Sequence, residues 1–513
     1  MLLGACGGSS TAPPACYGSL DISVPSIPAT LNPMVSVGDR SVTRLIDSLL
    51  LPRAFYVDSN SNFVLDTRYV LSAETISVNP QVVVYKINQK AIWSDGHPLS
   101  ALDFIYTWEA LDNGLEGKVL PYASELVDTS GYSDISSLVS NSDGSEVTVT
   151  FKHPMTDWRS LFSTIYPARY MHLQGFIAGL SFGVTALPSI TNYLIKSYTT
   201  HNIVLASSKP SNFSSITFSD GTATAASLHA TIGQPGSFAP ANAATSGFIQ
   251  GSSVTSLIFN TTNTSLALRN GLAYSIDRSV LWSNIFGKTP LANYPSPPPG
   301  NNLYTNSEQG YEDHQGFFLV GDFAKAIRSF VLAGMTYDQL GYLTSPTGPV
   351  QISLAYDASS PVDTRSAQLI DKIWSYFGFS VQLHPYSSTS SPQALIDSGQ
   401  YTAVIWDIPA TPEPSDRLNV IEHQLNGADP STFGALTSSQ IDQASNQVYP
   451  IDASKLYNAV DSQIWLNMVE LPLFQVPQPV WFDHQVGTTA LSVILPIVTG
   501  GTFNASTFLT PAN

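Results

Sequence analysis

The chain is 513 residues long, 43% hydrophobic and only 12% charged, with a formal net charge of −17. Its length supports roughly two to four domains with large cores, and its negative charge argues against a nucleic-acid or anionic-lipid surface, since both repel it at long range. No run reaches the roughly 18 to 20 apolar residues that span a bilayer, and both cysteines, Cys6 and Cys16, sit in the N-terminal tail, so no disulfide staples the core.

In chain order, Leu3-Gly4-Ala5-Cys6 resembles a bacterial lipobox, and a Gly/Ser/Thr/Pro linker runs from Gly7 to Pro14. The resemblance implies a diacylated Cys6 and a lipoprotein tether over residues 1–17. Only Leu2 and Leu3 precede Gly4, so a start further upstream, carrying the basic and apolar parts of a signal peptide, is expected. Cys16 receives no role.

Leu20, Ile22 and Val24 alternate as a first strand, followed by a loop that ends in Thr30-Leu31-Asn32-Pro33-Met34. Val42, Leu45, Ile46 and Leu49 then recur at helical spacing within 39–50. Residues 82–88 read as a strand with apolar positions on both faces, and Ser94-Asp95-Gly96 supplies turn chemistry. Ser100 stands as an N-cap with Asp103 as the acidic half of a capping box, ahead of Phe104, Ile105 and Trp108. The stretch 91–108 is therefore strand, turn and capped helix, a structural corner rather than an active site. Glu146 to Phe151 alternates as a further strand.

Residues 181–251 carry weaker signals, and the Ala, Ser, Thr and Gly rich 221–253 reads as a surface segment. Val254 to Phe259 is a buried strand feeding a helix with Leu268, Leu272 and Ile276 on one face. Asp277 and Arg278 are expected to cap and pair structurally. A helix over 323–333, a strand over 351–356, a helix over 363–377 and a strand over 378–383 follow; strand, helix, strand predicts a parallel pairing. Further strands are expected at 401–407 and 471–475.

Nine histidines are scattered without metal-ligand spacing, and there is no phosphate-cradling Gly-rich loop and no Gly-x-Ser-x-Gly elbow. Asp157 with Arg159, and Asp416 with Arg417, read as solvated charges. No enzyme activity, metal or cofactor is expected.

The order Trp93-Ser94-Asp95-Gly96, Pro98-Leu99-Ser100-Ala101, Asp103-Phe104, Tyr106 and Trp108 closely resembles the signature of the family 5 extracellular solute-binding proteins. Leu31-Asn32-Pro33, the Asp157 to Phe162 element and the Leu268 to Arg278 helix resemble further family elements. The resemblance implies an α/β, type II periplasmic-binding-protein fold of three lobes: a discontinuous first domain, a small α+β insertion and a large C-terminal α/β domain, joined by a two-strand hinge. The expected boundaries are 18–50, 168–255 and 479–513 for domain Ia, 51–167 for the domain Ib insertion and 256–478 for domain II.

The function so implied is capture of a short peptide or similar solute by hinge closure and delivery to the transmembrane subunits of an ABC permease. The protein would be an extracytoplasmic monomer, held at the outer face of the cell membrane only through lipidated Cys6, in the periplasmic space or cell envelope. Family cleft elements fall on Met34, Trp406, Asp407, Phe474 and Gln475, the candidate ligand contacts. Family peptide binders place an Asp that pairs with the peptide α-amino group where this chain has Ala410 or Thr411; Asp407 comes three residues early. The Asp-Trp-Arg-Ser-Leu-Phe element and the Pro412-Glu413-Pro414 turn are also similar to actinobacterial LpqW-like lipoproteins, which implies the alternative of a non-transport envelope lipoprotein regulating glycolipid biosynthesis through protein interaction.

Overall fold

The computed structural model describes residues 17–33, 40–58, 62–112, 131–221, 228–233, 245–249, 253–287, 300–304, 311–316, 321–346, 348–386, 401–409, 414–415, 417–418, 443–444, 446–482, 494 and 497. The chain divides into two units, residues 1–249 with 478–513, and residues 250–477.

The first unit is built on a seven-stranded sheet in the order Thr245–Ile249, Gln478–Phe482, Leu228–Ile232, Ser19–Ser23, Ser215–Ser219, Asn202–Ser207, Tyr193–Tyr198. Ser19–Ser23 is central and runs parallel to both neighbours, and its Leu20 and Ile22 are fully buried, as a strand enclosed on both sides requires. Two of these strands, Leu228–Ile232 and Thr245–Ile249, come from the stretch whose composition reads as a surface segment. Small residues hide the pattern there: Ala230 and Ile232 are buried beside the central strand, but alternation with His229 and Thr231 gives little net hydrophobicity.

A second, antiparallel sheet of Val70–Val78, Gln81–Ile87, Glu146–Phe151 and Ile135–Ser140 belongs to the same unit. Its Val83, Tyr85, Val147 and Val149 are fully buried. The signature corner lies beside it. Gln81–Ile87 ends before a turn in which Trp93 N donates to His97 O at 2.8 Å and Gly96 takes φ of 90°, a conformation that suits glycine. The helix Ala101–Leu111 then starts after Ser100, whose backbone N donates to Asp103 Oδ2 at 3.0 Å, the expected capping contact. Phe104 from this helix meets Phe162 at 4.9 Å and Tyr85 at 5.8 Å between ring centres, so the corner is pinned through the aromatic core.

The second unit holds a five-stranded sheet in the order Ser380–Tyr386, Gln351–Asp357, Ala403–Pro409, Ser253–Phe259, Glu470–Gln475. Gln351–Asp357 is parallel to both Ser380–Tyr386 and Ala403–Pro409, the expected βαβ pairing around the helix Pro361–Tyr376. The helix Pro450–Leu466 packs its Ala453, Tyr457, Val460 and Ile464 on the face bearing Ile258, Ala355, Val404 and Ile408. Pro361–Tyr376 covers the other face. Asp277 and Arg278 are structural, as expected: Asp277 caps the helix Arg278–Phe286 by accepting from Val280 N at 3.0 Å, and buried Arg278 donates to Pro472 O at 2.8 Å.

The chain passes between the units at 249–250 and at 477–478. Ile249 is partnered with Gln478 on one side of these passages and Val254 with Gln475 on the other, so the outgoing and returning strands are paired at both ends.

Candidate functional site

In open α/β sheets ligands bind in the crevice outside the carboxyl ends of the parallel strands, where the loops that lead into the crossover helices are free to carry function. In the second unit that edge is formed by Asp357, Tyr386 and the residues around Asp407, each at or near the end of its strand. The neighbouring antiparallel strand sets Thr255 opposite Asp407 and Ser256 opposite Trp406. Because side chains alternate along a strand, Trp406 and Asp407 point to opposite faces. Trp406 is half-buried against the Ile258, Val404 and Tyr457 cluster. Asp407 is exposed, and Thr255 Oγ1 donates to its Oδ1 at 2.5 Å.

The helix that covers the Asp407 face carries a second acid. Ser360 caps the helix Pro361–Tyr376 by accepting from Asp363 N at 3.1 Å, which places the Asp363 side chain in the first turn. Asp363 is 2% exposed and its Oδ1 has no hydrogen-bond partner among the described residues. Burial first, then the charges of Asp407 and Asp357, push its carboxyl up to about 8 against the pull of the Ser360 hydrogen bond. Protein crowded around the Asp407 carboxyl withdraws it from bulk water although its side chain reaches the surface, and this desolvation raises it, opposed by the Thr255 hydrogen bond and reinforced by Asp357. Asp357 Oδ1 accepts from Ser359 N and Oγ at 2.8 and 2.7 Å. Tyr386 donates its hydroxyl to Ile405 O at 2.8 Å, bracing the strand that carries Asp407.

Of the residues singled out from the sequence, Asp407 thus stands with Thr255 on the face covered by the helix that carries Asp363, and Trp406 stands on the reverse side. Phe474 is buried edge-on to Trp282 at 5.7 Å and to Phe286 at 6.0 Å, packed inside the unit. Gln475 is half-buried at the end of its strand. Met34 and Cys6 lie outside the described residues. The sequence reading missed Asp363: its position three residues after Ser360 is the signal of a helix cap, and its place over the Asp407 face depends on how helix and sheet pack.

The reverse face holds a different polar pair. Arg417, expected to be a solvated charge, is 1% exposed, and none of its guanidinium nitrogens has a hydrogen-bond partner among the described residues; Asp416 lies outside them. Glu470 is fully buried nearby, pushed up to about 7 by burial against the pull first of Ser256 and then of Arg417. The tertiary fold, rather than local polarity, decides the environment of Arg417. Arg159 likewise stacks over Trp158 at 4.5 Å instead of standing free in solvent. Among the described residues no group of three acidic, histidine or cysteine side chains is placed to hold a metal ion.

This architecture and edge site define an α/β binding-protein fold. Residues 68–429 match the family model for bacterial extracellular solute-binding proteins, family 5 middle, and the chain belongs to that family. It is 26% identical over 492 residues to the oligopeptide-binding protein OppA of Mycobacterium tuberculosis, covering 90% of this chain and 80% of the relative. It is 30% identical over 181 residues to the probable monoacyl phosphatidylinositol tetramannoside-binding protein LpqW of the same organism, covering 34% of this chain and 27% of the relative. Among solved structures it is similar to a periplasmic EDTA-binding protein, EppA, with a TM-score of 0.76 at 20% identity over 92% of each chain. The type II periplasmic-binding fold expected from the signature is the fold found. The relatives are binding proteins rather than enzymes, family 5 proteins are extracytoplasmic, and among the described residues no helix is long and apolar enough to cross a membrane.

Proposed function

We propose that this chain is the solute-capturing lipoprotein of an ABC import system, taking a short peptide or similar solute by hinge closure about its two chain passages and delivering it to the permease. The observation that carries the reading is Asp407, an exposed carboxylate fixed by Thr255 at the carboxyl edge of the second sheet. The matched length of OppA supports a peptide as the solute class. Asp407 is the polar contact and Gln475 a rim position, Phe474 backs them from within, Trp406 offers its ring on the reverse face of the same strand, and Met34, outside the described residues, is the remaining candidate contact. The discontinuous first domain and its α+β insertion are the two lobes within the first unit, the second unit is the C-terminal lobe, and Cys6 is the lipid anchor that keeps a monomer at the outer face of the membrane.

The test is native mass spectrometry of the purified, untagged soluble chain before and after mild denaturation. A heterogeneous adduct in the mass range of short peptides, lost on unfolding, is the expected result. An empty protein with no thermal shift on addition of peptide pools overturns it. The local 30% identity to LpqW favours a second reading, an envelope lipoprotein that acts through protein partners in glycolipid biosynthesis. That reading predicts the empty result together with capture of envelope proteins by the tethered chain.

A further inference from the structure

The first unit carries a pocket of about 370 Å³ lined by Asn192, Tyr193, the loop Pro210 to Phe213, and Ile497. The strand ladder fixes its place. Ser19 stands opposite Ser215 at the start of two parallel strands, and the loop lies just before Ser215. Tyr193 stands opposite Ser207 at the same end of the sheet. The chain passage at Gln478 lies at the other end, because its strand runs antiparallel to Leu228–Ile232 with Val480 opposite Ile232. A strand of five residues, about 13 Å long, separates the two ends.

The backbone and hydroxyl groups of the pocket are already committed. Ser208 N and Oγ donate to Asn192 O at 2.7 and 2.9 Å, and Tyr17 N donates to Asn212 O at 2.9 Å. Ser211 Oγ donates to Phe213 O at 2.6 Å, the Tyr193 hydroxyl donates to the same carbonyl at 3.3 Å, and the Phe213 ring packs on Tyr17 at 5.8 Å between centres. A loop tied in this way is ordered before a ligand arrives, which lowers the cost of binding. What the lining residues have left to offer is the two side-chain carboxamides of Asn192 and Asn212, together with the apolar surfaces of Tyr193, Pro210 and Ile497.

A carboxamide carries donors and an acceptor side by side. Adjacent hydroxyls on a sugar ring also donate and accept, so they match it, while the C–H face of the same ring suits aromatic and proline surfaces. The volume lies at the small end of ligand sites and admits about one or two sugar rings. We infer that this pocket is a second binding site of the chain, for a neutral, hydroxyl-rich sugar, with Asn192 and Asn212 as its hydrogen-bonding residues. Free sugars and the glycosyl headgroups of envelope lipids share that chemistry. Tyr17, where the tether joins the fold, is bonded to the pocket loop, so this is the end of the unit to which the proposed anchor at Cys6 is tied. The inference goes beyond solute capture and does not depend on it.

The experiment is saturation-transfer NMR and isothermal titration of the untagged soluble chain with methyl glucoside, methyl galactoside, methyl mannoside and maltose. N-acetylalanine methylamide and potassium phosphate serve as peptide and anion probes. At least one sugar is expected to bind, at least tenfold tighter than either probe. Asn192→Leu and Asn212→Leu, which keep the backbone carbonyls that accept from Ser208 and Tyr17, should each weaken that sugar at least tenfold while melting temperature and binding of peptide pools stay unchanged. Asn192→Ser and Asn212→Ser repeat the test with smaller, polar side chains. No sugar binding, binding that survives both substitutions, or equal binding of N-acetylalanine methylamide or phosphate overturns the inference; the peptide pools bear on solute capture alone. Flotation with phosphatidylcholine vesicles, with and without monoglucosyl diacylglycerol, separates the two sources. Flotation only with the glycolipid, lost in Asn192→Leu, assigns a lipid headgroup, and sugar binding without flotation assigns a free sugar.

Discussion

The Trp93 indole donates to Asp103 Oδ2 at 3.3 Å, joining the turn of the signature corner to the helix that follows it. The same carboxylate takes Ser100 N at 3.0 Å, and its other oxygen takes Ala168 N at 2.9 Å, so one buried acid ties three segments. The Trp and Asp of the family signature are thus partners in a joint rather than ligand contacts.

Asp103→Ala should therefore destabilise the first unit by about 3 kcal/mol, since buried N–H donors lose a charged acceptor. Trp93→Phe, which removes one donor and keeps the ring, should cost about 1 kcal/mol. Urea unfolding followed by far-UV circular dichroism measures both, and an Asp103→Ala effect no larger than that of Trp93→Phe would count against the joint.

Asp363 should make stability fall as pH rises. Its carboxyl lies near 8 in the folded chain and at about 4 when unfolded. Between those values the folded state holds a proton that the unfolded state has released, so each step upward favours unfolding. Asp363→Asn removes this slope. Relative to the natural chain the variant should gain on the order of 1 to 3 kcal/mol between pH 5 and pH 8, read as a difference in melting temperature at the two pH values.

His314 has the opposite origin and the same sign. Its Nδ1 lies 2.6 Å from Oδ2 of fully buried Asp461, a contact that holds the imidazole above its ordinary range. The stability it supplies is complete below pH of about 6.5 and is lost as pH rises through the raised folded value. His314→Gln should cost about 1 to 2 kcal/mol at pH 6 and distinctly less at pH 9, by thermal melts in matched buffers.

Gly271 lets the helix Leu266–Tyr274 lie against the helix Phe323–Leu332, where an added methyl would overlap the Phe330 ring. That ring is held edge-on by Phe377 at 5.6 Å and Phe379 at 4.9 Å and has nowhere to turn. Gly271→Ala should destabilise the second unit by about 1 to 3 kcal/mol despite its better helix propensity. A neutral or stabilising result in chemical denaturation would show that the helices separate freely.

Local chemistry made much of the fold legible. Ser100 and Asp103 announced their helix, the alternation from Glu146 to Phe151 announced its strand, and the strand, helix, strand order after Gln351 announced a parallel pair. Short-range rules failed where partners are distant. Leu228–Ile232 is a strand because Ser19–Ser23 runs beside it, some two hundred residues earlier in the chain. Arg417 looks solvated until the fold buries it with Glu470. For the site, Asp407 was found by resemblance alone, and Asp363 was masked by its second role as a first-turn residue.

The pairing of Ile249 with Gln478 has a consequence for how such a chain is assembled by genes. The two residues are direct neighbours across an antiparallel ladder, so a two-residue hairpin loop would close the first unit over the excised 250–477. Val254 and Gln475 are neighbours too, which leaves the excised piece with adjacent ends. The second unit is in that sense a cassette, inserted at a single hairpin position, and recombination at that position can exchange one cassette for another without re-threading the host sheet.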